Sequence, residues 1–556
     1  MTLSERSLTL AALVVSRPNY IITEDCMSHW IIFPARPLRR SLKRYGLAFA
    51  CFLTLLAAMI TPSGAASRFV PPLVSHELPR SSPEAQGISS SDILAFVRAA
   101  DEQLDTMNSF MLIRHGHVVA EGYWSPYDAN TRHALYSLTK SFTSTAVGLA
   151  VAEGRVKVDD LVLPYFPEDA PVEPSHGLKA MRVRDLLTMT AGHHSEAPLR
   201  AGEHWAKSFL AQPVEHKPGT LFLYNTPASY MLSAIVQKAT GMTVLEYLRP
   251  RLFEPLGISD PVWLSSPQGV TNGGWGLKIR TAEIARFGQL YLQKGEWRGR
   301  RLLPAAWVEA ATARQASNGS SPTSDWDQGY GFQFWRSQNN AYRGDGAFGQ
   351  FCVVIPEQNA VIVVTSGVKN MQSVLNLIWE RLLPAMKANT LPADENSQKQ
   401  LNQTLAGLEV RTQKGSPSSP TVARVSGRRY AFPSNDRKLE SLAIEIGDGG
   451  NVTLVMQQNG VEQRIACGQS AWKKGRLAYG DWPEQPVAVS GAWTTPDTYT
   501  AKICFYEEPF ILTVSLRYSE DRLLFDSEFN VFFGPTKQPQ MVGSQKDRLP
   551  RSRAGE

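Results

Sequence analysis

The chain has 556 residues, more than one domain usually holds, and its 43% hydrophobic and 19% charged content is ordinary for a globular protein with a large core. The formal charge of +6 comes mainly from the N-terminus. Residues 1–66 hold seven Lys/Arg and three Asp/Glu, which leaves 50 basic against 48 acidic residues and excludes a broad nucleic-acid-binding surface.

The N-terminus reads as an export signal. Arg36, Arg39, Arg40, Lys43 and Arg44 form a basic segment, residues 47–60 are apolar, and Pro62-Ser63-Gly64-Ala65-Ala66 supplies small residues for cleavage. The apolar run is short for a membrane span. The expectation is therefore a protein exported to the periplasm or beyond the cell, with no stable membrane span after cleavage. The basic segment starts late, so Met27 is a candidate true start and residues 1–66 comprise a signal with an upstream extension.

Residues 90–104 carry helical spacing. Residues 109–114 and 118–123 alternate around His115-Gly116 and predict a β-hairpin. A helix of small residues over 141–153 follows, stopped by Gly154. Residues 155–310 are rich in helix and loop signals, with helical spacing over 279–294 and 304–313. Strands return at 330–335, 350–355 and 360–365, and a last helix spans about 371–383. Strands at both ends with helices between predict an α/β domain over 67–395, a sheet flanked by helices with a helical insertion. Ser, Pro and Gly in 414–420 mark a linker, placed at 396–425. Beyond it the pattern is nearly all β. A hairpin is expected over 452–458 and 461–467 about Asn459-Gly460, with further strands at 499–506, 510–518 and 522–525. This predicts an all-β barrel or sandwich over 426–545, followed by a basic tail at 546–556 that reads as a disordered end.

After removal of the signal three cysteines remain. Cys467 and Cys504 lie in the β region and are candidates to pair in an oxidising compartment, while Cys352 sits in an apolar run and reads as a core thiol. No CxxC or His/Cys cluster argues for a metal. His193-His194 with Glu196 reads as a loop pair, and no cofactor is expected.

Ser137-Leu138-Thr139-Lys140 is the most informative string. Residues three apart share a helix face, so Lys140 can reach the Ser137 hydroxyl. A serine needs an adjacent base, and lysine serves as one only when burial or charge lowers its pKa. The same pattern recurs at Ser366-Gly367-Val368-Lys369 and Ser470-Ala471-Trp472-Lys473. Neither of these opens a helix. Only at Ser137 does a hairpin precede and a helix follow.

Further strings lie downstream in order: Asp185-Leu186-Leu187-Thr188-Met189-Thr190-Ala191-Gly192, then Pro218-Gly219-Thr220-Leu221-Phe222-Leu223-Tyr224-Asn225, then Phe348-Gly349-Gln350 leading into Val353-Val354-Ile355-Pro356-Glu357. Together with Ser137-x-x-Lys140 they resemble the serine β-lactamase-related hydrolases, a family that includes class C β-lactamases, D-alanyl-D-alanine carboxypeptidases, β-lactamase-like esterases and 6-aminohexanoate-dimer hydrolase. The resemblance covers about residues 80–385. It implies a β-lactamase/transpeptidase-like α/β fold in which Ser137 attacks a carbonyl and forms an acyl-enzyme that water cleaves. It also implies that Tyr224, matching the family's Tyr-x-Asn tyrosine, relays protons with a pKa lowered by the lysine. The asparagine is displaced: the family's third position holds Thr226, and Asn225 comes one early, so either is a candidate substrate contact.

The family's Lys/His-Thr-Gly strand motif is missing from Tyr342-Arg343-Gly344-Asp345-Gly346-Ala347-Phe348-Gly349-Gln350. Arg343 is a candidate replacement cation. Ala347 is the candidate strand donor to the oxyanion, beside the Ser137 backbone N–H at the helix start. Trp275, in Asn272-Gly273-Gly274-Trp275-Gly276, is a candidate wall of an acyl pocket or a core residue, and Trp124 carries the same two readings. The expected activity is cleavage of a small ester, amide or peptide through Ser137, with β-lactams disfavoured because in β-lactamases the missing lysine helps hold the substrate carboxylate. The alternative is a penicillin-binding or peptidoglycan-directed protein, either a D-alanyl carboxypeptidase or an acylated sensor, or a class C-like β-lactamase. No Gly-x-Ser-x-Gly string supports an α/β-hydrolase.

Overall fold

A computed structural model describes residues 76–200 and 202–548. The export signal and the end of the basic tail lie outside the described residues. Among the described residues no helix is long and apolar enough to cross a membrane.

Six antiparallel strands form the first sheet, in the order His117–Tyr123, Met107–Arg114, Ala360–Ser366, Gln350–Ile355, Tyr342–Gly346 and Trp335–Arg336. The first two form the expected hairpin, and His115 and Gly116 turn it at φ 49° and 77°. Every residue of Met107–Arg114 and Ala360–Ser366 is buried, since helices cover both faces. Met111, Ile113, Val354 and Val363 pack with the helices Thr139–Ala152 and Thr281–Leu292 on one face. Phe110, Leu112, Val353 and Val364 pack with Ser90–Gln103 and Met371–Leu377 on the other.

Several sequence expectations change, and the strand expected over 330–335 is reduced to Trp335–Arg336. Residues 277–280 form a strand, Leu277–Arg280, paired with Arg132–Ala134, before the helix Thr281–Leu292 begins. Leu277 and Ile279 face the core with period two, and that alternation merges into the helical spacing that follows. The predicted linker holds a helix, Glu395–Ala406, capped by Asp394 and anchored through buried Leu401. The predicted tail begins inside a strand, Met541–Arg548, that pairs with Arg428–Ala431.

The C-terminal region is one ten-stranded antiparallel sheet rolled into a nearly closed barrel. Its hairpin turns at Asn459 and Gly460 with φ 51° and 74°. The first and last strands of the sheet meet through side chains: Gln463 accepts from the Ala478 N–H at 2.7 Å and donates to the Ala478 carbonyl at 3.2 Å. Cys467 and Cys504 are both free. Cys467 packs in the barrel interior, whereas Cys504 faces out toward the Tyr127 hydroxyl, 3.5 Å away, so the expected pairing fails because the two thiols lie on opposite faces of the barrel wall. Cys352 is a buried core thiol beside the Ile284 carbonyl.

Candidate active site

The helix Thr139–Ala152 runs through the middle of the domain and is built from small residues, so neighbouring elements approach it closely. Ser137 lies in the single helical turn that precedes it. Lys140, on the first turn, donates from Nζ to Ser137 Oγ at 3.1 Å and to the Gly274 carbonyl at 2.9 Å. Its side chain is buried, and this burial lowers its pKa to about 7 against the opposing pull of the Glu196 and Asp345 carboxylates. The neutral amine is therefore accessible near neutral pH, as a lysine base requires.

Tyr224 is hydrogen-bonded to the Ser137 hydroxyl. Its ring stacks on Trp335 at 5.3 Å and meets Tyr330 edge-on at 6.2 Å. Its pKa moves opposite to expectation. Burial is the largest cause, and the Asp345 and Glu196 carboxylates add to it, so the phenol holds its proton. The 185–192 string explains how Tyr224 is placed. Asp185 accepts from the Arg182 N–H at 2.8 Å and caps a short helix. Met189, at φ 59°, then accepts the Leu223 N–H on its carbonyl at 2.8 Å and the Asn225 N–H on its sulfur at 3.2 Å.

The strand Tyr342–Gly346 closes the site from above. A side chain on Gly344 would meet Leu138 at 2.3 Å, and one on Gly346 would meet the Leu135 carbonyl at 2.0 Å. Only glycines let this strand lie against the turn that carries Ser137. Ala347 follows in the turn between this strand and Gln350–Ile355, beside the Tyr136 segment.

The remaining expected contacts divide. Arg343 is not a substrate cation. It is fully buried, donates to Asp345 at 2.9 Å and Ser337 at 2.6 Å, and packs its guanidinium 4.7 Å from the Trp326 ring. Alternation along the strand places Asp345, not a lysine, toward Tyr224 and Lys140. Burial pushes its carboxyl up against the pull of Arg343. Asn225 is buried as the cap of helix Thr226–Thr240: it accepts from the Ala228 N–H at 3.0 Å and contacts His193 at 3.3 Å. Thr226 opens the helix, with its N–H on Glu196 at 2.6 Å. Trp275 adjoins the Gly274 carbonyl that receives Lys140 and packs 5.8 Å from Trp205. Trp124 is core, donating to Asp101 at 2.7 Å on the opposite face of the sheet.

Glu196 and Asp345 are the site groups that the sequence reading missed. Their carboxylates converge on Lys140 from a loop about 60 residues away and a strand about 200 residues away, a proximity that no local pattern encodes. The His193-His194 pair separates: His193 is buried edge-on to Phe209 at 4.7 Å, while exposed His194 groups with Glu215 and His216, their ligand atoms within 4.8 Å of one another. The other two Ser-x-x-Lys strings are structural. The Ser366 hydroxyl donates to the Gly349 carbonyl at 2.8 Å, and Ser470 lies at φ 53° in a turn.

Several known proteins are similar to this chain. The 6-aminohexanoate-dimer hydrolase of Paenarthrobacter ureafaciens is 27% identical over 286 residues, covering 47% of this chain and 72% of that protein. A Salmonella typhimurium protein named for D-alanyl-D-alanine carboxypeptidase activity is 26% identical over 227 residues, covering 35% of this chain and 52% of its own length. The chain thus spans about half the length of that relative. A penicillin-binding protein homologue from Pyrococcus abyssi superposes with a TM-score of 0.42 at 15% identity, over 82% of this chain and 99% of its own. The beta-lactamase family profile matches residues 98–383, just over half of the chain, and its span takes in Ser137, Lys140, Tyr224 and the closing strand. This chain therefore belongs to the beta-lactamase family of serine hydrolases.

Proposed function

We propose that the protein is an exported serine hydrolase that cleaves an ester or amide through an acyl-enzyme on Ser137. The observation that carries this reading is the buried Lys140 amine, 3.1 Å from Ser137 Oγ with a pKa lowered to about 7. In its neutral form Lys140 takes the Ser137 proton as Oγ bonds to the substrate carbonyl carbon. The N–H groups of Ser137 and Ala347 receive the negative oxygen. Tyr224, held protonated, passes its proton to the leaving group as the bond to carbon breaks, and recovers one from the Lys140 ammonium. A water then gives a proton to Lys140 and its oxygen to the acyl carbon; the bond between that carbon and Ser137 Oγ breaks, and Lys140 returns the proton to Oγ.

The surroundings favour a substrate without a carboxylate. Glu196 and Asp345 flank Lys140, and the buried Arg343 guanidinium is engaged by Asp345 through Nε and by Ser337 through one terminal nitrogen. A β-lactam carboxylate would meet repulsion there. Small esters and amides without a carboxylate fit this charge pattern better. Ser137→Ala tests the assignment. The variant should fold as wild type and release no nitrophenol from p-nitrophenyl acetate above the uncatalysed rate; release at the wild-type rate would remove Ser137 from the mechanism.

A further inference from the structure

We infer that the C-terminal barrel is a working part of the active site, and that Glu508 and Phe510 are positioning residues for the segment that delivers Ser137. This rests on the reading of Ser137 as the nucleophile.

The residue before the nucleophile, Tyr136, lies in the left-handed region at φ 47°, which is disfavoured for a bulky side chain and persists only where surroundings hold it. Those surroundings belong largely to the barrel. The Tyr136 hydroxyl donates to Glu508 at 2.8 Å, and its ring meets Phe510 at 6.3 Å and Phe533 at 5.6 Å. Tyr136 joins the apolar cluster that fills the barrel, not either core of the hydrolase sheet.

The same barrel turn, residues 505–510, grips the chain upstream. The Ala134 N–H donates to the Glu507 carbonyl at 2.9 Å, and the Tyr127 hydroxyl donates to the Glu508 carbonyl at 3.1 Å. Lys278, on the strand paired with Arg132–Ala134, places its ammonium 2.7 Å from Glu508. Glu508 is buried, so its charge requires these partners.

The turn also reaches across to the second side of the reaction centre. Phe348, beside Ala347, is left-handed at φ 66° and packs on Phe510 at 5.6 Å and Phe533 at 4.6 Å. The two left-handed residues that flank the centre, one next to Ser137 and one next to the Ala347 donor, are thus both braced by one barrel surface. A binding module on a tether would need neither contact. The geometry makes the barrel the frame that fixes the distance between the nucleophile and the closing turn.

The test uses the full chain and p-nitrophenyl acetate, with kcat and KM measured well below the thermal midpoint of each variant. Tyr136→Phe and Glu508→Ala should each lower kcat about tenfold or more, with KM within about twofold, because a small misplacement of reacting groups acts on the chemical step. The double variant should be no slower than the slower single, since both break one contact. Glu508→Gln, which keeps an oxygen for the phenol, should recover most of the rate. Leu454→Ala, in the barrel core, should lower the midpoint while keeping kcat. Wild-type kcat in both Tyr136→Phe and Glu508→Ala would overturn the inference, as would an equal loss in Leu454→Ala, which would reduce the barrel to a general stabiliser. Release of nitrophenol by Ser137→Ala at the wild-type rate would instead overturn the reading of Ser137, and this inference with it.

Discussion

A lysine in water is charged near neutral pH and has no lone pair to offer a serine. Lys140 escapes this because burial lowers its pKa to about 7, although Glu196 and Asp345 pull the other way. The sign fixes the pH dependence. Below about 7 the ammonium form dominates and Ser137 loses its base, so kcat/KM for ester cleavage should fall about tenfold per pH unit on the acid side. A profile measured from pH 5 to 8 checks this, and a flat one would assign the base elsewhere. Ser137 and Lys140 were legible in the sequence because three-residue spacing at a helix start is a local pattern. The protonated state of Tyr224 was not. It depends on burial and on carboxylates from segments distant in the chain, and the sequence alone pointed to the wrong direction of shift.

Close approach of elements assembles the site, and the glycines of Tyr342–Gly346 carry it. A Cβ on Gly346 would stand 2.0 Å from the Leu135 carbonyl, an atom of backbone that has no rotamer with which to yield. Gly346→Ala should therefore displace the strand and the Ala347 turn, lower the acylation rate by about 10²-fold and destabilise the fold by roughly 1–3 kcal/mol. Stopped-flow release of nitrophenol and a thermal melt read these two effects, and wild-type acylation would show that the turn does not set the geometry. In the sequence only the family resemblance pointed to this strand; its own residues do not. Gly and Asp have weak strand preference, and pairing with Gln350–Ile355 on one side and Trp335–Arg336 on the other holds the segment extended. Helix Glu395–Ala406 escaped the sequence reading because its interior is polar, with one buried leucine as its anchor.

For the whole molecule, the barrel was legible from alternation and the Asn459-Gly460 turn, whereas its docking was not, since period and propensity say nothing of contacts between distant segments. The docking is extensive. Cys504 and Ile511 of the barrel pack in a core of the hydrolase sheet, and Ala134 and Tyr136 of the hydrolase domain pack in the core of the barrel. Shared cores of this kind should make the two regions unfold as one. Calorimetry should show a single main transition, and two well-separated transitions would mean that the shared contacts contribute little.

Intact-mass analysis with peptide mapping, after mixing the protein with p-nitrophenyl acetate, bears most directly on the mechanism. The account predicts a transient acetyl adduct confined to the peptide that carries Ser137, appearing with the first release of nitrophenol and disappearing as turnover continues. Turnover with the adduct on another residue, or with no adduct under rapid acid quench while Ser137→Ala remains active, would contradict it.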